Sequence, residues 1–108
     1  MKITLIGSHV YKEKMTSYAI QLEEQGHEVK IPAFDSHPDF NELEIVEYNL
    51  SIIEWADRVD LFWDKRSMGT VLDFGMVFAL KKKFRVVYLE SKTVMNLMRQ
   101  YEEKSNGR

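Results

Sequence analysis

Residues 58–89, RVDLFWDKRSMGTVLDFGMVFALKKKFRVVYL, hold one complete strand–helix–strand unit. RVDLFW (58–63) is a short apolar run of strand type. The small residues Ser67, Gly69 and Thr70 then lead into the apolar helix that ends near the three lysines 81–83. RVVYL (85–89) supplies the second strand. Two strands joined through a helix of this length run parallel, because the crossover returns the chain to the same end of the sheet. Within the helix, Asp73 and Gly75 are out of place: a carboxylate and a helix-weakening glycine in the first turns of an otherwise apolar segment.

The rest of the chain repeats the pattern on both sides. KITLI (2–6) is a strand ended by Gly7-Ser8, and residues 11–25 carry Met15, Tyr18, Ala19 and Leu22 at helical spacing before the stop at Gly26. HEVKIP (27–32) is a second strand closed by Pro32, which cannot donate to a ladder. Residues 33–42 are polar and read as a loop. Val46, Leu50 and Ile53 mark an amphipathic helix over 43–56, and Val94, Leu97, Met98 and Tyr101 mark another over 91–103. The last residues, EEKSNGR, are expected to fray. Alternating strands and helices predict an α/β fold: a small doubly wound, flavodoxin-like three-layer sandwich with a parallel sheet of four to five strands. Ligands of such sheets bind at the carboxyl ends of the strands, where strand order reverses. In this chain those ends are Gly7-Ser8-His9, the loop after Pro32, residues 64–70 and residues 90–91.

Composition narrows the function classes. A chain of 108 residues, 44% apolar and 30% charged, is expected to form one domain spanning 1–108. Its net charge of −2 argues against nucleic acid as a partner. With no cysteine there is no disulfide, thiolate metal site or thiol nucleophile. No apolar run approaches the roughly 20 residues of a membrane span, and MKITLIGSH has too short an apolar run for a signal peptide. A cytoplasmic protein without a membrane partner is therefore expected. The three histidines are far apart and lack metal-ligand spacing, so no metal is expected, and the family resemblance given below implies no organic cofactor.

The common occupants of this fold do not fit. A flavin phosphate needs a Ser/Thr/Gly-rich loop after the first strand, and GSHVYKEK offers one glycine before a bulky, charged helix start. A phospho-receiver domain needs acids after the first strand, where this chain has Gly7-Ser8. Neither GxGxxG nor a Walker motif is present.

Three segments together resemble the nucleoside 2-deoxyribosyltransferase-like superfamily, which includes the 2'-deoxynucleoside 5'-monophosphate N-glycosidases. They are ITLIGS, MTSYAIQLEEQGHEVKIP, and NLSIIEWADRVDLFWDKRSMGTVLDFGMVFAL with its Ser-x-Gly-x-x-x-acid-x-Gly helix start. The resemblance covers most of residues 2–90. It implies cleavage or transfer of the N-glycosidic bond of a (deoxy)nucleoside or its 5'-monophosphate. Asp73 occupies the place of the family's nucleophilic glutamate, and Asn49 that of an aspartate which orients the substrate and assists the leaving base. By the same resemblance Ser67, Gly69 and Thr70 hold the substrate's 5' end, Gly7, Ser8 and His9 line the base and sugar pocket, and the protein is a homodimer. It also implies that restoring both acids, Asp73→Glu with Asn49→Asp, raises activity.

The residues allow other readings too. Thr70-Val71-Leu72-Asp73 has the spacing of a capping box, which gives Asp73 a structural role. Gly75 fits either close helix–strand packing or room for a ligand. Asn49 is an amide and cannot transfer a proton, so a nucleotide-binding or regulatory protein that keeps the pocket without turnover is the alternative function. Lys65-Arg66 before Ser67 suits an anion at a helix N-terminus, whereas Lys81-Lys82-Lys83 suits a helix C-terminus. Asp57 is expected to end the second helix or cap the turn, and Trp55, Phe62, Trp63 and Phe78 to fill core or interface.

Overall fold

The computed structural model describes residues 1–33, 39–63, 68–89 and 95–107. Strand β1 (Lys2–Gly7) passes through a 3₁₀ turn (His9–Tyr11) into α1 (Lys12–Glu24), and β2 (Glu28–Lys30) follows. Then come α2 (Glu42–Trp55), β3 (Arg58–Trp63), α3 (Met68–Ala79), β4 (Lys83–Leu89) and α4 (Met95–Asn106). The strands form one parallel sheet in the order β2-β1-β3-β4. The chain starts in the middle, winds outward through β2, and returns past β1 to build β3 and β4. The order therefore reverses between β1 and β3, which is where a doubly wound sheet opens its crevice.

The two central strands are buried almost throughout, as strands covered on both faces should be. On one face Ile6, Val59, Leu61 and Phe84 pack against Ile53 of α2, Phe74 and Val77 of α3, and Met98 and Tyr101 of α4. On the other, Ile3, Leu5 and Phe62 meet Met15, Ala19 and Leu22 of α1. Three layers result, as expected for the flavodoxin-like class.

Several local readings change. β2 stops at Lys30, two residues before Pro32, although Pro32 itself is buried. The buried seam of α2 is Ile45, Asn49, Ile52 and Ile53, while Val46 and Leu50 are only half-buried; the helix is rotated so that an amide takes a core position. α3 begins at Met68, so Thr70 lies inside the helix and is not the N-cap that a Thr70–Asp73 capping box requires. The true capping box belongs to α2: Asn41 Oδ1 accepts from Glu44 N–H at 2.8 Å, and Glu44 accepts from Asn41 N–H at 3.1 Å. The close-packing reading of Gly75 fails, because a Cβ built there meets nothing within 4 Å; the residue is exposed and is not among those that line the cavity described below.

The lysine run follows the C-terminus of α3 as expected, but the Lys82 side chain serves a different helix. Lys82 Nζ donates to the carbonyls of Glu54 and Ala56, at 2.8 and 2.9 Å, and so closes the C-terminus of α2. α3 ends instead in a Schellman turn, with Lys81 N–H on Phe78 C=O and Lys82 N–H on Val77 C=O. Lys81 adopts φ 57°, the left-handed position that Gly26 fills with φ 94° at the end of α1. Asp57 pins the start of β1 by exchanging bonds with Lys2: its carboxylate accepts Lys2 N–H at 2.9 Å, and its own N–H donates to Lys2 C=O at 2.7 Å.

The C-terminal residues do not fray before Asn106. Ser105 is fully buried and accepts Phe84 N–H at 3.0 Å, and Glu102 accepts Val86 N–H at 2.6 Å. Side chains of α4 thus occupy outward backbone groups of the edge strand β4, which would otherwise invite another strand.

Candidate functional site

The site grows from the reversal point. β1 ends at Gly7, where a Cβ would lie 2.6 Å from the Phe62 carbonyl of β3; only glycine lets the strands run this close at their carboxyl ends. Ser8 then turns the chain. Its hydroxyl accepts Val10 N–H at 3.4 Å and its carbonyl accepts Tyr11 N–H at 3.0 Å, which sets His9 on an exposed 3₁₀ turn. Across the crevice, α3 starts with Gly69 exposed, Thr70 buried and Asp73 one turn further on, 5% exposed. α2 contributes Asn49, also 5% exposed.

These residues line one cavity of about 990 Å³. Gly7, Ser8, His9, Asn49, Gly69, Thr70 and Asp73 all border it, so residues from three separate segments of the sequence converge. Ser67, with Lys65 and Arg66, lies outside the described residues. The cavity is at the upper end of the range for small-molecule sites, large enough for a nucleotide. Glu42 and His9 are the other titratable groups on its wall among the described residues.

Sequence reasoning missed the wall made by Ala33, Phe40 and the first two turns of α2. Glu42, Ile45, Val46 and Asn49 follow one another at helical spacing on the side that faces the cavity. That spacing was available once Asn49 had been singled out. The loop after Pro32 was among the expected binding ends; what hid the rest of the wall was reading the helix only for its core seam.

Asn49 has its side chain engaged. Ala33 N–H donates to Oδ1 at 2.8 Å, and Nδ2 donates to the Ala33 carbonyl at 3.2 Å. A second buried carboxylate, Asp60 of β3, is held by three bonds. Arg58 Nε and Nη2 donate to its two oxygens at 2.7 and 3.0 Å, and Tyr18 O–H donates at 2.6 Å. Burial raises the Tyr18 phenol above its usual value, helped by the bond to Asp60 and its charge and partly offset by Arg85. Burial alone lowers the Arg58 guanidinium, but the bonds and charge of Asp60 carry it above its ordinary value.

No protein-family model matches the chain, and no curated protein matches it. Among solved structures it is similar to the Clostridium botulinum CMP N-glycosidase BcmB. The identity is 22%, the TM-score 0.72, and the match covers 98% of this chain and 84% of that one. The two chains share a fold. The flavodoxin-like architecture read from the sequence is therefore the architecture of a nucleotide N-glycosidase, which is the fold that the family resemblance implied. None of the described helices is long and apolar enough to cross a membrane.

Proposed function

We propose that the protein cleaves or transfers the N-glycosidic bond of a (deoxy)nucleoside or its 5'-monophosphate, with Asp73 as the nucleophile. The observation that carries this reading is the position of Asp73: a buried carboxylate on the wall of a nucleotide-sized cavity at the reversal point of the sheet. The shared fold with a CMP N-glycosidase supports it and makes a cytidine nucleotide the first substrate to try.

In this reading the base departs with the electron pair of its bond to the anomeric carbon, and an Asp73 oxygen bonds to that carbon. Water then displaces the carboxylate, giving hydrolysis, or a second base does so, giving transfer. The substrate's oxocarbenium character is greatest where the carboxylate charge lies closest. Gly7, Ser8 and His9 line the sugar and base, and Gly69 and Thr70, together with Ser67, hold the 5' end.

The protein acts as a homodimer in this reading. Met68, Leu72 and Phe78 are exposed along α3, and Gly75 leaves open space beside them, so the helix presents an apolar face with room for a close neighbour. Sedimentation should show a dimer, and a charge introduced by Leu72→Glu should shift it to monomer.

The test of function is release of free base. The protein is incubated with deoxynucleosides and nucleoside 5'-monophosphates, CMP included, and the products are separated by chromatography. Release should occur with at least one nucleotide and fall by roughly a thousandfold in Asp73→Ala, a loss of about 4 kcal/mol of transition-state stabilisation. Release unchanged in that variant rules out the nucleophile. The second reading, a nucleotide-binding protein without turnover, is favoured by one observation: the Asn49 amide is bonded to backbone. It predicts a thermal shift with nucleotide and no free base.

A further inference from the structure

Asn49 bonds both backbone groups of one residue, Ala33, as a neighbouring strand would. The β2 ladder to β1 ends at Lys30, so Ala33 lies three residues beyond it, buried at the cavity wall. Nothing in the ladder holds it there. The side-chain amide does, across 16 residues of sequence. At neutral pH an amide suits the task, because it offers an acceptor to the Ala33 N–H and a donor to the Ala33 carbonyl. An ionised carboxylate at the same place would set one of its oxygens against that carbonyl, acceptor to acceptor, in a buried setting.

We propose that Asn49 is a positioning residue, a clamp that fixes the cavity wall where β2 ends, and that it does not substitute for a proton-transferring acid. Its link to turnover rests on the N-glycosidic reading; the clamp itself does not. This reverses half of what the family resemblance implies: Asn49→Asp should lower activity at neutral pH.

The variant has a built-in control. When protonated, its carboxyl can copy the amide, the O–H donating to Ala33 C=O and the other oxygen accepting Ala33 N–H. Burial and the facing carbonyl raise its pKa above the ordinary value of about 3.9. Among the described residues, the titratable groups sharing the cavity are Glu42 of α2, Asp73 of α3 and His9 of the 3₁₀ turn. The two acids push the introduced carboxyl the same way, and a protonated His9 opposes them. A raised folded-state value means that the stabilisation is complete in acid and is lost as pH rises through it.

Melting of Asn49→Asp and the unaltered protein is compared between about pH 4 and pH 8. The variant should melt close to the original at the acid end and roughly 10 °C lower at the alkaline end. In the unaltered protein the Ala33 amide should exchange with solvent at least about tenfold more slowly than in Asn49→Ala. Base release by Asn49→Asp should fall at neutral pH, with KM rising more than kcat drops, and should recover towards acid. Equal melting at both pH values with unchanged Ala33 exchange overturns the clamp, and so does a gain in base release at neutral pH. If the unaltered protein releases no base from any nucleotide, the proposed function fails while melting and exchange still decide the clamp.

Discussion

Among the described residues two aspartates are buried, one inside the sheet and one on the wall of the cavity. Asp60, in the middle of β3, is 0% exposed and has both oxygens occupied by Arg58, with Tyr18 on one of them. Asp73, on α3, is 5% exposed and borders the cavity. Burial of a carboxylate is costly in either place. At Asp60 the cost is offset by a guanidinium that approaches in the two-pronged geometry carboxylates favour, and the group has become part of the architecture. Asp73 instead borders the crevice, within reach of whatever enters it. Burial alone does not mark a functional acid; burial beside an open cavity at the reversal point does.

The same isosteric change at both positions puts that contrast to a direct trial. Asp73→Asn should reduce base release about a thousandfold and cost less unfolding free energy than the same change at position 60. Asp60→Asn should do the reverse. It turns an amide N–H₂ towards Arg58 and strands the guanidinium, at a cost of about 3–5 kcal/mol in denaturant unfolding. The fraction that remains folded should release base within about tenfold of the original rate. A stability loss at position 73 as large as that at position 60 would erase the distinction and return Asp73 to a structural role.

The sequence showed one of these aspartates and not the other, for a physical reason. Asp73 was conspicuous because it interrupts an apolar helix, where no local pattern calls for a charge. Asp60 was hidden inside RVDLFW, since a parallel strand with alternating partners tolerates a charge whose partner is two residues away on the same face: Arg58 and Asp60 share a side of β3. The parallel, doubly wound class was legible because strands alternate with helices, and β3 runs over the residues expected. The ends were not. Lys81-Lys82-Lys83 reads as the close of α3, yet Lys82 reaches α2. The tail reads as frayed, yet Ser105 and Glu102 are bound to the edge strand. The two share one feature: only the folded chain shows which neighbouring element's backbone groups lie within reach of a side chain. Asn49 follows the same rule, since its partner Ala33 belongs to another segment.

The smallest expected effect tests how completely Asp60 is satisfied. Tyr18→Phe removes the third bond and keeps the ring, which meets Phe62 edge-on at a centroid distance of 5.5 Å. Asp60 retains both bonds to Arg58, so the loss at neutral pH should be about 1 kcal/mol, modest because the phenol is only partly buried. The pH dependence gives the sign. Burial first, and Asp60 second, raise the Tyr18 phenol; a phenol raised in the folded state stabilises fully below its unfolded value of about 10 and ceases to do so as pH climbs through the folded one. The gap between Tyr18→Phe and the original should therefore hold steady through neutral and mildly alkaline conditions and close above about pH 10. The tyrosinate absorbance should show one phenol ionising late in the original and missing in the variant. A gap that persists unchanged at high pH would mean that the Tyr18 proton is not what Asp60 receives. Asp60 would then keep an acceptor direction unfilled, and its contrast with Asp73 would become one of degree.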